Sequence, residues 1–190
     1  MPGQFPLVKP LSTSQEEHFR RASMPDLDPS LAPGVVKQWG QWVKSAPIKV
    51  NGEATRWRIL GIYDLLAHYE DGSVGIIDCK VSDSERDNAQ FYAPQLEAYA
   101  YALENPDKGK PFPVSSMGLL VWKLAGIAET ADGAHGFGVT QHYLHVTRDQ
   151  AQFNSLIADL IEVIEGELPE AGADCDTCNY LVKRLAIESN

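Results

Sequence analysis

Two short apolar runs carry charge where a sheet interior ordinarily admits none: Gly61-Ile62-Tyr63-Asp64 and Gly75-Ile76-Ile77-Asp78-Cys79-Lys80. A strand sends alternate residues to one face, so Asp78 and Lys80 point together while Cys79 points the other way. The isoleucines around them (Ile62, Ile76 and Ile77) imply a largely buried sheet. Charges are retained in such a place only when they are paired or bind metal. Two carboxylates and an ammonium converging on a buried sheet suit a hard divalent cation and a phosphodiester. As a bland alternative, Asp78 and Lys80 form an ion pair that only organises the sheet.

The surrounding patterns set the elements. Five prolines among the first 30 residues (Pro2, Pro6, Pro10, Pro25 and Pro29) predict an arm or short helix lying on the body, with Ser12 or Ser14 capping a helix through Glu16 to Ala22. The pair Pro25-Asp26 reads as a turn. Pro33 at a first turn, with Val36, Trp39 and Val43 at helical spacing, predicts a second helix. Strands are expected at Ile48–Val50, at Thr55–Tyr69 beyond an Asn51-Gly52 hairpin turn, and at Val74–Val81 beyond Asp71-Gly72. A polar loop at 82–88 precedes a helix over Ala89–Leu103, with Leu96, Ala100 and Leu103 inward. Strands at Ser116–Leu124 and Gly138–Val146 follow, separated by a loop. A helix over Arg148–Glu165 then turns Phe153, Leu156, Ile157, Leu160, Ile161 and Ile164 inward and is closed by Gly166. The order helix, three strands, helix, two strands, helix is an α/β arrangement: a mixed central sheet flanked by helices.

Composition narrows the class. The chain has 190 residues, 44% of them hydrophobic, enough for one core. No apolar run approaches the roughly 20 residues of a membrane helix, and Met1–Pro10 lacks a signal-peptide pattern, so a cytoplasmic, membrane-free protein is expected. With 16 basic against 26 acidic residues the net charge is −10, which argues against coating nucleic acid through a broad basic face. A local strip remains: no Asp or Glu occurs from Ser30 to Gly52, which holds Lys37, Lys44 and Lys49, and Arg56, Arg58 and Lys123 extend it. Individually these read equally well as solvated surface charges. Trp39, Trp42 and Trp57 lie among them; packing is the ordinary role of such residues and base stacking the alternative.

The ordered set Gly61-x-x-Asp64, Ile76-Ile77-Asp78-Cys79-Lys80 and Gln95-Leu96-Glu97-Ala98-Tyr99 resembles the PD-(D/E)xK nuclease superfamily. Within it, the RecB-like branch (RecB and AddB nuclease domains and CRISPR-adaptation exonucleases) is the nearest in pattern. Leu11-Ser12-Thr13-Ser14…Phe19 looks like the N-terminal helix of that branch, and Gly166-Glu167-Leu168-Pro169…Cys175-Asp176-Thr177-Cys178-Asn179-Tyr180 like its C-terminal cysteine segment. The resemblance implies a restriction-endonuclease-like core over residues 31–168, the arm at 1–30, and a Cys-x-x-Cys segment at 169–190. It also implies an Mg²⁺- or Mn²⁺-dependent DNA nuclease, exonuclease-like, in repair, recombination or phage biology, with DNA (single-stranded ends among its forms) and a larger protein complex as partners.

Residue by residue, Asp64, Asp78 and the Cys79 backbone carbonyl would take the metal, Lys80 the water or phosphate, and Gln95 and Tyr99 would support them. The branch often adds a His or Glu from its N-terminal helix. Gly34–Lys44 offers only Gln38 and Gln41, whereas His18, beside Glu16 and Glu17, is the candidate further ligand. His68, His135, His142 and His145 show no ligand spacing, and His142 and His145 read as strand residues. Members often tie a four-cysteine iron–sulfur cluster. Here Ala22 or Ser23 stands where the first cysteine belongs and the region of Arg184 where the last does, so Cys175 and Cys178 are too few ligands for a cluster. A zinc half-site completed by a histidine or a second chain is the alternative to two free thiols. Cys79 reads as a small hydrophobe in its strand. The missing ligands leave two rival classes open: a catalytically silent nucleic-acid-binding or scaffold module, and an assembly protein joined through Cys175 and Cys178.

Overall fold

The computed structural model describes residues 8–82, 89–167, 170, 172 and 174–188. The beginning of the arm, most of the polar loop expected at 82–88 and the Leu168-Pro169 pair lie outside the described residues. Contacts divide the chain into two compact units, Met1–Phe153 and Asn154–Asn190.

The first unit is a five-stranded mixed sheet in the order β1-β4-β5-β6-β7, with helices on both faces. Its helices are α1 (Val8–His18), α2 (Met24–Leu27) and α3 (Ala89–Glu104). The sheet strands are β1 (Gly34–Lys44), β4 (Leu60–Tyr69), β5 (Val74–Ser82), β6 (Val114–Glu129) and β7 (His135–His145). A separate two-stranded ribbon joins β2 (Lys49–Val50) to β3 (Glu53–Ala54). β5 occupies the centre, antiparallel to β4 and parallel to β6 across the α3 connection. One core buries Leu66, Val74, Ile76, Met117 and Leu119 beneath Leu96, Ala100 and Leu103 of α3. The other buries Leu65, Ala67, Ile77, Cys79 and Leu120 beneath Phe19, Met24, Leu27 and Leu31. The mixed sheet flanked by helices agrees with the fold class expected from the sequence.

Several elements differ from expectation. Gly34–Lys44 is a strand, not a helix. A bulge between Val36 and Gln38 adds one residue to β1, bringing Val36 and Trp39 to the same core and so imitating a helical i, i+3 spacing. Val43 joins the opposite core. Pro25 and Asp26 belong to α2, where Asp26 Oδ2 accepts from the Ser23 N–H at 3.0 Å, rather than to a turn. α1 lies earlier than Glu16–Ala22. The Asn51-Gly52 hairpin forms as expected, with φ of 51° and 85°, both in the left-handed region. The next strand, however, begins at Leu60 rather than Thr55. Residues 55–59 are irregular: Thr55 Oγ1 donates to the Ile48 carbonyl (2.9 Å) and accepts from the Trp57 N–H (3.2 Å). β6 and β7 run beyond the predicted strands as one long hairpin. Ile62, expected inside, is exposed.

α4 (Gln150–Glu165) starts in the first unit, where Asp149 Oδ1 accepts from the Gln152 N–H at 2.8 Å as a helix cap. Phe153 and Ile161 are buried and Ile157 half-buried, but Leu156, Leu160 and Ile164 are exposed, against the wide inward stripe expected. Burial follows the single row i, i+4, i+8. The second unit also contains α5 (Asp176–Glu188), unanticipated in the tail.

An ionic knot ties α3 to β6 and the segment after β7. Arg148 reaches Glu104 Oε1 (2.6 Å), Glu97 Oε2 (3.2 Å) and the Val114 carbonyl (2.9 Å), while Glu97 Oε1 accepts from the Asp149 N–H (2.7 Å). Glu97 is only 3% exposed. Arg148→Ala strands that carboxylate, and removing one partner of such a buried pair costs about 3–5 kcal/mol. Urea unfolding of the variant is expected to show a loss of that size; a change below about 1 kcal/mol, the range of a surface pair, would show the knot to be peripheral.

Candidate active site

The site begins where two strands part. Cross-strand partners between β4 and β5 run from His68↔Val74 to Leu65↔Ile77. Beyond Leu65, β4 continues to Leu60 beside β1, and β5 to Ser82 beside β6. In that divergence the Cys79 N–H donates to Asp64 Oδ2 at 2.7 Å, a side chain taking the place of a ladder carbonyl. Asp78, 2% exposed, faces Lys80 along the same strand face, as alternation requires. Lys80 Nζ lies 2.6 Å from Asp78 Oδ2, a close ion pair. Cys79 turns into the opposite core and is a buried free thiol.

α3 closes the site from one side. Gln95 Nε2 donates to Asp78 Oδ1 (3.0 Å) and to the Tyr99 hydroxyl (3.0 Å). Lys80 Nζ stands 4.7 Å from the centre of the Tyr92 ring. Tyr92, Gln95 and Tyr99 follow at i, i+3 and i+7, one helix face. Tyr99 seats against Gly61, where a Cβ would lie 2.7 Å from the ring, so the glycine of the Gly61-x-x-Asp64 run is there to admit this tyrosine. The structure thus brings Asp64, Asp78, Lys80, Gln95 and Tyr99 together, with the Cys79 backbone between the two carboxylates.

α1 contributes from the other side. Gln15, wholly buried, donates to the Leu120 carbonyl at 2.7 Å and fixes the helix on β6. The next residue, half-buried Glu16, has its pKa pushed up by burial and then by the charge of Asp64, with a smaller push from Asp78. His18 does not join this group: it is exposed, its ring 4.7 Å from Phe19 and 6.0 Å from Trp122. Gln38 and Gln41 of β1 serve Tyr63 instead, whose hydroxyl donates to Gln38 Oε1 at 2.7 Å. Sequence reasoning passed over Glu16 and Tyr92. The i, i+3, i+7 spacing could have found Tyr92; Glu16 stood beside His18 with nothing local to favour it.

Burial and mutual charge set the electrostatics of this group. Burial raises Asp78 from its ordinary 3.8 to about 6, although Lys80 is in contact, with Asp64 adding to the rise. Asp64 is likewise raised by burial, against the Cys79 N–H and Lys80. Burial works to lower Lys80, yet Asp78 and Asp64 raise it overall. Three carboxylates therefore repel one another around one ammonium, an arrangement that a divalent cation would relieve. The donors are hard oxygens, the ligand type Mg²⁺ and Mn²⁺ take. Among the described residues no group of three or more His, Cys, Asp and Glu side chains is placed to hold a metal ion.

Elsewhere, Lys44 Nζ (3.4 Å) and Arg58 share Asp107. Arg20 stacks on half-buried Trp39 (5.4 Å) and Arg56 on Trp57 (5.2 Å), leaving Trp42 as the exposed tryptophan of β1. Cys175 and Cys178 are free, partly exposed thiols, with the Cys178 N–H 3.4 Å from Cys175 Sγ. No helix among the described residues is long and apolar enough to cross a membrane.

A mixed sheet whose central strand presents Asp-x-Lys, with a second Asp from its neighbour and a Gln-x-x-x-Tyr helix against them, is a nuclease-superfamily core. The family model of the PD-(D/E)XK nuclease superfamily matches residues 12–182, and the chain belongs to that superfamily. Over 123 residues it is 29% identical to an ATP-dependent helicase/deoxyribonuclease subunit from Streptococcus uberis, covering 57% of this chain but 11% of that protein. The solved structure of SSO0001 aligns with a TM-score of 0.49 at 15% identity, covering 92% of this chain and 66% of that one.

The raised pKa of Asp78 has a defined consequence for stability. The folded state holds this proton more tightly than the unfolded chain, so the contribution is complete below 3.8 and is lost as pH rises through about 6. In metal-free buffer, wild-type stability relative to Asp78→Asn should therefore fall from pH 4 to pH 7, by of order 1–3 kcal/mol. Urea unfolding across that window measures it; parallel curves would mean that Asp78 is not raised.

Proposed function

We propose that this chain is a divalent-metal-dependent DNA nuclease, hydrolysing phosphodiester bonds with Asp64, Asp78, Lys80, Gln95 and Tyr99. The observation that carries the reading is the geometry around Asp78, a buried carboxylate in contact with Lys80 and close enough to Asp64 to feel its charge, which burial above all pushes up to about 6. Asp64, Asp78, the Cys79 carbonyl and Glu16 would hold Mg²⁺ or Mn²⁺. When bound, such an ion polarises the phosphate and acidifies a water.

The chain's own residues do the rest. Lys80, its ammonium stabilised by Asp78 and Tyr92, orients the attacking water and meets the charge that develops on phosphate. Gln95 holds the carboxylate of Asp78 and the hydroxyl of Tyr99 in one line, so all three keep their aim as substrate arrives. The similarity to part of a helicase/deoxyribonuclease supports DNA as the substrate. Action from strand ends, within a larger repair or recombination complex, is the finer part of the same proposal.

Purified protein is incubated with linear and circular single-stranded DNA, plus linear duplex, in Mg²⁺, Mn²⁺ or chelator. Cutting is expected with either metal, confined to DNA with ends, and abolished by chelator. Lys80→Ala is expected to lower the rate by about 10²–10³-fold, the scale of losing one preorganised electrostatic group. Asp78→Ala should match or exceed that loss. A well-folded wild type that cuts nothing would replace this reading with a non-catalytic module; cutting that survives both substitutions would place the site elsewhere.

A further inference from the structure

Beside the candidate site lies a group of apolar side chains that the fold does not bury. Trp42 is 68% exposed, Leu60 61% and Ile62 41%. Trp42 and Ile62 are direct cross-strand partners on β1 and β4, and Lys44 is opposite Leu60 in the same ladder. Opposed residues share a sheet face, and Leu60 and Ile62 share one by alternation, so the three form one continuous patch. The direction of Gly61 toward Tyr99 places Ile62 on the other face from α3. Asp64 is two positions from Ile62, about 7 Å along the strand. An exposed tryptophan at the margin of a carboxylate site is costly to leave in water, and grouped apolar surface of this kind marks a binding face.

The charges along the patch identify what it fits. Lys44 and Arg58 converge on Asp107, two cations on one carboxylate, so the patch is flanked by a surplus positive charge in a chain whose total is −10. A flat indole next to that charge matches an unpaired base with its phosphate, the combination by which single strands are bound. A duplex end offers its bases only in stacked pairs.

We propose that Trp42, backed by Ile62 and Leu60, is a stacking platform that receives an unpaired base of a single-stranded substrate and delivers the following phosphodiester toward Asp64. Lys44 and Arg58 take the adjoining phosphate. Trp42 is thus a positioning residue; the inference rests on the nuclease reading for its substrate, yet it is tested by binding alone.

The full chain, in chelator, is titrated with fluorescein-labelled oligo(dT) and with a blunt duplex of equal length, following anisotropy and tryptophan fluorescence. Wild type is expected to prefer the single strand and to show quenched tryptophan emission on binding. Trp42→Ala should weaken single-strand binding by about 5- to 150-fold, the range of one base–aromatic stack, and remove most of the quenching. Trp42→Phe should restore most of the affinity, since a smaller ring still stacks, and Ile62→Thr should show a lesser loss. Circular dichroism verifies that each variant is folded.

Unchanged affinity and quenching in Trp42→Ala would overturn the platform even if the protein cuts DNA. Trp42-dependent binding by a wild type that cuts nothing would retain the platform and reject the nuclease. A wild type that binds no single strand, but changes from dimer to monomer on Trp42→Ala, would show the patch to be a protein interface and overturn the inference.

Discussion

The N–H of Cys79 donates a hydrogen bond to the carboxylate of Asp64, and the organisation of the first unit's site depends on that bond. A central strand must satisfy its backbone on both sides, and β5 does so through β6 on one edge and, at Cys79, through an aspartate side chain on the other. β4 is thereby free to diverge beyond Leu65 without leaving an orphaned buried donor. The opening that results is where Asp64, Asp78 and Lys80 meet. Structure and candidate chemistry thus share one bond.

Around that opening the two faces of the sheet contribute different things. α3 supplies orientation: Gln95 bridges Asp78 and Tyr99, and Tyr92 lies beneath Lys80. α1 supplies charge: Gln15 anchors it to β6 and so delivers Glu16 toward Asp64. The consequence is an excess of negative charge around a lysine, unfavourable by itself and appropriate to a cation. Stability for the scaffold comes from elsewhere, from two apolar cores and from the Arg148 knot, which holds α3 against the sheet. That separation lets the site carry repulsion without opening the fold.

Much of this was legible in the chain. Gly61-Ile62-Tyr63-Asp64 and Asp78-Cys79-Lys80 lie on strands as read; Ala89–Leu103 is helical; Asn51-Gly52 turns a hairpin. Each rests on local chemistry: alternation, positive φ, or a helical stripe. Reading failed where geometry overrides local spacing. In β1 one bulge converted a two-residue period into a three-residue one, so a strand resembled a helix. In α4 only one row of apolar residues is buried, a matter of what packs on it, which composition does not record.

By itself the sequence determined which residues could carry charge into the sheet, that Asp78 and Lys80 share a face, and that Gln95 and Tyr99 lie one turn apart. These follow from bond geometry within a single element. Only the tertiary structure decided that Asp64 bonds across to Cys79, that Glu16 rather than His18 approaches the carboxylates, and that Trp42 stays exposed while Trp39 is half-buried. Each of these joins elements distant along the chain, and their contacts are set by the register and packing of whole strands and helices, to which no short stretch of sequence is sensitive.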